Sequence, residues 1–551
     1  MITFFVCLLF CFILTGWALL FSKILATEIQ FGYFNAIAFC CLVSFLGFLL
    51  RVPNWTAEML LGGGGLFLIG FTSFYYKKNK SLLLQYQWVV LCFLSFSLLF
   101  FLLAYGIKFR SIDDYSFWGL ASKYLYSFNS LPQNSDYINA NFLTYIPALA
   151  SFHYLLYSLG QHYSIIFGYF AQDIVLVSAM LTVLNHHKKT RSLLLLAVWY
   201  LLLSLAYGMP SLRMEVDSYV ASYFFAVSWI IYLKRDRAFT LIIIPILFLS
   251  VIKEIGFLFA LCSLILFTVV NGIKGKNKYY LLFTVLGVIA IKCVWKIHVT
   301  HLGFESFAQA ISLDNALSAL NPFNTYYQPA QWLYLKTSLF AGFDRTFNTP
   351  YCLVYLLMSV VAYSLVRQYP EKKRVVLAIT GSFALFAFTY WVMIYLLQAV
   401  VFHVGHGIPK ILDYQRYYNM LFLPWLAIMV FIYLDIKNPP GFDSFTKVPS
   451  FTLLMLVFVF LVVGKIERSH RFYNPYKLDQ LLTLIEQKSE ATKKSNWTLC
   501  LLTPPTPTYQ LVMPMTYYFM PHRVSIPVTE QQKNRCDFSF RWVAGTLVEP
   551  A

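Results

Sequence analysis

Acids are scarce in this chain. Of 551 residues only 24 are Asp or Glu, and charged residues of both signs make 12%. Soluble domains carry roughly 25% charge, so this chain cannot clothe a water-facing surface along its length. Metal-type cysteine spacing is also lacking: the ten cysteines form no CxxC and no Cys/His ligand pattern. Eight of them (Cys7, Cys11, Cys40, Cys41, Cys92, Cys262, Cys293, Cys352) lie in or at apolar runs, where cysteine acts as a small hydrophobe. Only Cys500 and Cys536 fall in polar sequence, and their pairing in an oxidising compartment is left open. The N-terminus has no basic n-region and no small-residue cleavage site, so it reads as a membrane helix and not as a removable signal. No internal repeat is evident, which counts against an inverted-repeat transporter.

What is present is hydrophobic length: 59% of the chain is hydrophobic and 19% aromatic. A spanning helix needs about 20 apolar residues, because every backbone N–H and C=O must be paired internally in lipid. Runs at 2–21, 31–50, 58–76, 82–106, 164–184, 191–208, 216–233, 238–252, 255–272, 280–298, 347–367, 375–400, 416–436 and 449–464 qualify. The expected fold class is an all-α polytopic membrane protein with about 12–14 transmembrane helices. A small C-terminal extracytoplasmic α/β domain should follow them. The net charge of +18 does not imply nucleic acid, since the Lys and Arg sit in short clusters between apolar runs. Such clusters ("YYKKNK", "NHHKKTR", "LKRDR", "IKGKNK", "RQYPEKKR") mark cytoplasmic loops.

All these loops, with 435–447, share one side only if "YIPALASFHYLLYSLG" (145–160) does not cross but lies along or dips into the opposite face. Four regions follow: N-terminal spans 1–106, a first large outer loop 107–163, a core 164–464 with outer loops 299–346 and 401–415, and a tail 465–551. In the tail, 474–494 has helical periodicity, and 496–502, 523–528 and 537–543 read as short strands.

The few acids collect at span ends on the outer side. Acids at a membrane face are functional candidates by default. In "KFRSIDDYSFWGLASKYLY" (108–126), Asp113 and Asp114 open an expected amphipathic helix whose aromatic face, with Trp118, Lys123 and Tyr126, would rest at headgroup depth. The bland reading is that they cap it. In "GMPSLRMEVDSYVASYFFA" (208–226), Arg213, Glu215 and Asp217 cluster, and Arg213 is spaced to pair locally with Asp217. In "HVGHGIPKILDYQRYYNMLFLPW" (403–425), Arg416 among Tyr414, Tyr417 and Tyr418 suits a phosphate grip; an aromatic belt is the alternative. His403 and His406 are spaced for a metal but lack a third ligand, and Lys410 and Asp413 stand beside them. Lys253–Glu254 interrupts a long apolar stretch: either a self-paired hairpin tip or a lysine reaching a lipid phosphate.

The acidic pair in "IDDYSFWGLASKYLY", the Pro-containing "LTYIPALASFHYLLYSLG" after it and the late "QRYYNMLFLP" together resemble the GT-C glycosyltransferases. Protein O-mannosyltransferases and lipid A aminoarabinose transferases belong to that superfamily. About four spans precede the acidic loop here, where better-known members have one, and a single Pro147 stands where two are frequent. The resemblance implies inverting transfer of a hexose or pentose from a polyprenyl-phosphate donor to a glycan, lipid or protein acceptor. The site would lie on the extracytoplasmic face of the plasma (bacterial inner) membrane. Asp113 and Asp114 would be catalytic, Asp114 touching the acceptor and Asp113 supporting. Arg416, Lys410 and Lys253 would bind the donor phosphate. Lys123, Arg213, Glu215, Asp217, His403, His406 and Tyr417 would support them. A divalent cation (Mg or Mn) at the acidic pair is allowed, and no nucleic acid is expected. The alternatives are an oligosaccharide polymerase or ligase, for which "HVGHG" and Arg345 speak, and a transporter or flippase for lipid-linked sugars. A transporter should carry charges within its spans, and only Lys292 and Lys296 are of that kind.

Overall fold

In the computed structural model the described residues are 2–78, 80–106, 114–133, 143–184, 189–208, 214–234, 237–273, 275–304, 311–344, 347–404, 411, 413–437, 498–503, 520, 523–525, 538–543 and 546–548. The chain is a polytopic, helical membrane protein. Seven of the described helices are long and apolar enough to cross a bilayer on their own, and four more are apolar but shorter.

Four helices come first: α1 (Ile2–Ile24), α2 (Ile29–Leu49), α3 (Pro53–Lys78) and α4 (Lys80–Ala104). α1 and α3 approach closely because glycines face each other. A Cβ on Gly16 would collide with the Gly64 carbonyl oxygen, and one on Gly64 would meet the Ile13 carbonyl. The Trp17 indole N–H donates to the Leu60 carbonyl across the same contact, at 2.8 Å. Gly65, next in the run, has nothing near its absent Cβ. Gly16→Val should therefore force the helices apart and lower stability by about 1–3 kcal/mol. Gly65→Ala should hold or raise it, since Ala is the better helix former by about 1 kcal/mol. Thermal unfolding in detergent distinguishes the two; equal effects would refute the contact.

Two short helices, α5 (Gly119–Phe128) and α6 (Ala148–Gly160), precede the core. The helix expected to lie in the interface is instead packed inside the protein. A π-helical turn, Asp114–Trp118, leads into α5. Trp118 stacks on Tyr145 at 5.8 Å, and Ser122 Oγ pairs with His153 Nδ1 at 2.8 Å. The aromatic face thus meets α6 and not headgroups. α6 follows Pro147 and is buried along nearly its whole length. Its 13 residues reach about 20 Å, short of a hydrocarbon thickness near 30 Å.

The core consists of α7 (Ile165–Leu181), α8 (Lys189–Tyr207), α9 (Asp217–Lys234), α10 (Ala238–Ile252), α11 (Gly256–Asn271), α12 (Asn277–His301), α15 (Tyr351–Gln368), α16 (Lys373–Leu396) and α17 (Tyr414–Lys437). Between α12 and α15 lie two shorter helices, α13 (Leu313–Leu320) and α14 (Gln328–Phe340). α9 and α17 run parallel. Arg416 bonds Asp217 where both helices begin, and Asp435 accepts from the Tyr232 hydroxyl where both end. α12 and α15 show apolar faces to the outside, Phe283, Ile297, Leu356 and Tyr363 among them, as lipid-facing helices do.

In the tail, β1 (Thr498–Thr503), β2 (Arg523–Ser525), β3 (Phe538–Val543) and β4 (Thr546–Val548) pair in the order β2-β1-β3-β4. β1 is parallel to β2 and β3, and β3 is antiparallel to β4. The expected span 449–464, the helix 474–494 and Cys536 lie outside the described residues.

Candidate functional site

Asp217 is the first residue of α9 and is 1% exposed. A carboxylate suits a helix N-terminus, where the backbone dipole is positive, but burial requires partners. Each of its oxygens has its own cation. Lys253 Nζ donates to Oδ1 at 2.5 Å, and Arg416 Nε donates to Oδ2 at 2.6 Å. The local pairing of Arg213 with Asp217 is therefore not what settles this carboxylate; Arg213 itself lies outside the described residues. The self-paired hairpin tip is overturned as well. Lys253 turns to Asp217, while Glu254 takes Lys292 at 3.2 Å.

Arg416 stands near the N-terminus of α17, where the dipole disfavours a cation. Asp217, with Glu215 Oε2 at 3.6 Å and Asp413 Oδ2 at 3.9 Å, offsets this. The Tyr417 ring lies under both cations, 5.1 Å from Lys253 Nζ and 5.6 Å from Arg416 Cζ, as a ring quadrupole favours. The Tyr390 hydroxyl holds the Tyr417 carbonyl at 3.2 Å.

Asp114 is 0% exposed, and its Oδ1 accepts the Met214 N–H at 2.9 Å. The Met214 carbonyl accepts from Gln172 Nε2 at 3.1 Å. The backbone of one residue is thus gripped at both its N–H and its carbonyl, by the turn that opens α5 and by α7. Met214 is three residues before Asp217, at most about 11 Å of extended chain. Asp114, Glu215, Asp217, Lys253, Arg416 and Tyr417 therefore converge from four stretches of chain. For Asp114 this contact is a holding one.

Asp113, Lys410 and His406 lie outside the described residues, as does Arg345. His403 is exposed, with a left-handed φ of 49°. Lys123 is partly buried in α5, 5.9 Å from the Tyr163 ring. Burial pulls its ammonium down to about 8. Its described ring contact is with Tyr163 and not with the Arg416 cluster. Among the described residues no three His, Cys, Asp or Glu side chains gather to hold a metal ion.

Comparison with family models, with curated proteins and with solved structures gives no match. The functional argument rests on the chain's own residues.

The sequence reading passed over Gln172, Asp173, Tyr207 and Tyr219. Asp173 is buried inside an apolar span, and Tyr219 Oη approaches its Oδ1 at 3.5 Å. Its other oxygen has no partner among the described residues. The signal was legible: "AQD" (171–173) is a polar pair inside an apolar run, and acids within spans are rare. Gln172 reaches the Met214 peptide, and Tyr219 belongs to the first turn of α9.

Proposed function

We propose that the chain is a membrane glycosyltransferase of GT-C type. It moves a sugar from a polyprenyl-phosphate donor to an acceptor hydroxyl at the extracytoplasmic face of the plasma membrane. The observation that carries this reading is the double anchoring of Asp217 by Lys253 and Arg416 beside the Asp114-held loop. Two fixed cations at the converging N-termini of two parallel helices form an anion-binding arrangement. Lysine has three donors and arginine five, and Asp217 takes one from each. A leaving phosphate would meet charges already in place, which is the condition for electrostatic catalysis.

The acceptor oxygen attacks the anomeric carbon as the bond to phosphate oxygen breaks. The acceptor proton passes to the acidic pair, the polyprenyl phosphate leaves, and a single displacement inverts the centre. Asp113 serves as base in this reading and Asp114 fixes the loop. The tail strands, with the stretch before them, are taken as a small α/β cap over the site.

Membranes bearing Asp113→Asn or Asp114→Asn, assayed with polyprenyl-phosphate sugars, test the proposal. Asn at 114 can still accept the Met214 N–H, so that change probes charge without dismantling the loop. Transfer should fall about 10²–10⁴-fold for Asp113→Asn, the range for losing a general base, with insertion unchanged. A polymerase or a carrier would tolerate both changes, and full activity in both variants would refute the reading.

A further inference from the structure

The ends of α9 and α17 remote from Asp217 enclose a second polar region. A cavity of about 450 Å³ opens there, between the α1–α2 turn, the ends of α7, α9 and α17 and the starts of α8 and α10. Three cations (Arg191, Lys234, Arg237) and two carboxylates (Glu28, Asp435) line it. The carboxylates are each matched. Arg191 Nη2 donates to Asp435 Oδ1 at 3.1 Å, Tyr232 Oη donates to Asp435 Oδ2 at 3.0 Å, and Lys234 Nζ donates to Glu28 Oε1 at 2.6 Å. Arg237 is the cation left over, exposed and without an ion-pair partner among the described residues. The Trp229 indole also lines the cavity. It is buried, and its N–H has no acceptor among the described residues. Ion pairs that merely fasten helix ends would need no surplus cation. The rest of the wall is largely aliphatic.

We propose that this cavity binds the phosphate of an anionic membrane-lipid headgroup, with Arg237 as its donor. A phosphate offers several strong acceptor oxygens to a guanidinium fork. The aliphatic wall suits the glycerol and first chain carbons of a lipid. The volume falls within the usual range of small-ligand sites, about 300–1,000 Å³. The site is separate from the Asp217 cluster, about 25 Å away along the 18 residues of α9, and does not depend on the reading of that cluster.

The full-length protein in nanodiscs tests this. Discs are made of phosphatidylcholine alone or with added phosphatidylglycerol, and the unfolding midpoint is followed. Phosphatidylglycerol should raise the wild-type midpoint by several degrees through binding to the folded state. Arg237→Gln should lose most of that rise; the residue is exposed and unpaired, so the fold stays intact. Lys276→Gln, an exposed charge outside the cavity, should keep all of it. An equal rise in every variant, or none in the wild type, overturns the proposal. An Arg237-dependent rise with inorganic phosphate in phosphatidylcholine discs, and none with phosphatidylglycerol, overturns the lipid assignment in favour of a soluble phosphate.

Discussion

Arg416→Lys is expected to lower sugar transfer about 10²–10³-fold, the usual effect of removing one donor from a developing anion. Charge is conserved in this variant, so Asp217 keeps a cation on each side and the protein should insert and fold. What is lost is the planar fork that grips two phosphate oxygens and the fixed direction of Nε toward Asp217. The assay is transfer from polyprenyl-phosphate sugar by purified, folded protein. Activity within a few-fold of wild type would make Arg416 a brace for Asp217 and nothing more.

Asp217→Ala should be among the most destabilising single changes in the chain. It removes the carboxylate that both Lys253 and Arg416 bond, each only 12% exposed, and breaking a buried ion group by removing one partner costs about 3–5 kcal/mol. The readout is the unfolding midpoint in detergent. A loss of about 1 kcal/mol or less, as for an exposed pair, would show that water enters the cluster. Replacing all three residues by aliphatic ones of similar size should recover much of the stability, because apolar packing often equals a buried ion group. It should not recover transfer. A stable but inactive triple variant would separate the cluster's role in chemistry from its role in the fold.

Which residues matter was partly readable from the chain; which residues meet was not. Asp217, Lys253 and Arg416 declare themselves as charges at the ends of apolar runs, where membrane insertion tolerates little that is unpaired. Their partners are 36 and 199 positions apart, and no local periodicity encodes that. Local rules pointed instead to Arg213 and to a self-paired Lys253–Glu254 tip. The stretch after Asp114 misled in a related way. Its pattern fits a helix in the interface, yet Tyr145 and His153 come back to bury the same face. Helical periodicity reports that a face is apolar, not whether lipid or protein covers it. Gln172 and Asp173 lie within an apolar span, away from the span ends where most of the charges gather, and the Met214 backbone that Gln172 shares with Asp114 is 42 positions from it in the chain.

The hairpin that carries Lys253 is short for a membrane. α10 has 15 residues and α11 has 16, about 22–24 Å each, against a hydrocarbon thickness near 30 Å. Ile265 and Val269 of α11 are exposed, so this edge meets lipid. Hydrophobic mismatch of that size is relieved by thinning the surrounding bilayer. A leaflet thinned at the hairpin would bring headgroups to the level of the lysine, and in the proposed reaction a lipid-borne phosphate would then reach Lys253 sideways, with no need to climb out of its leaflet.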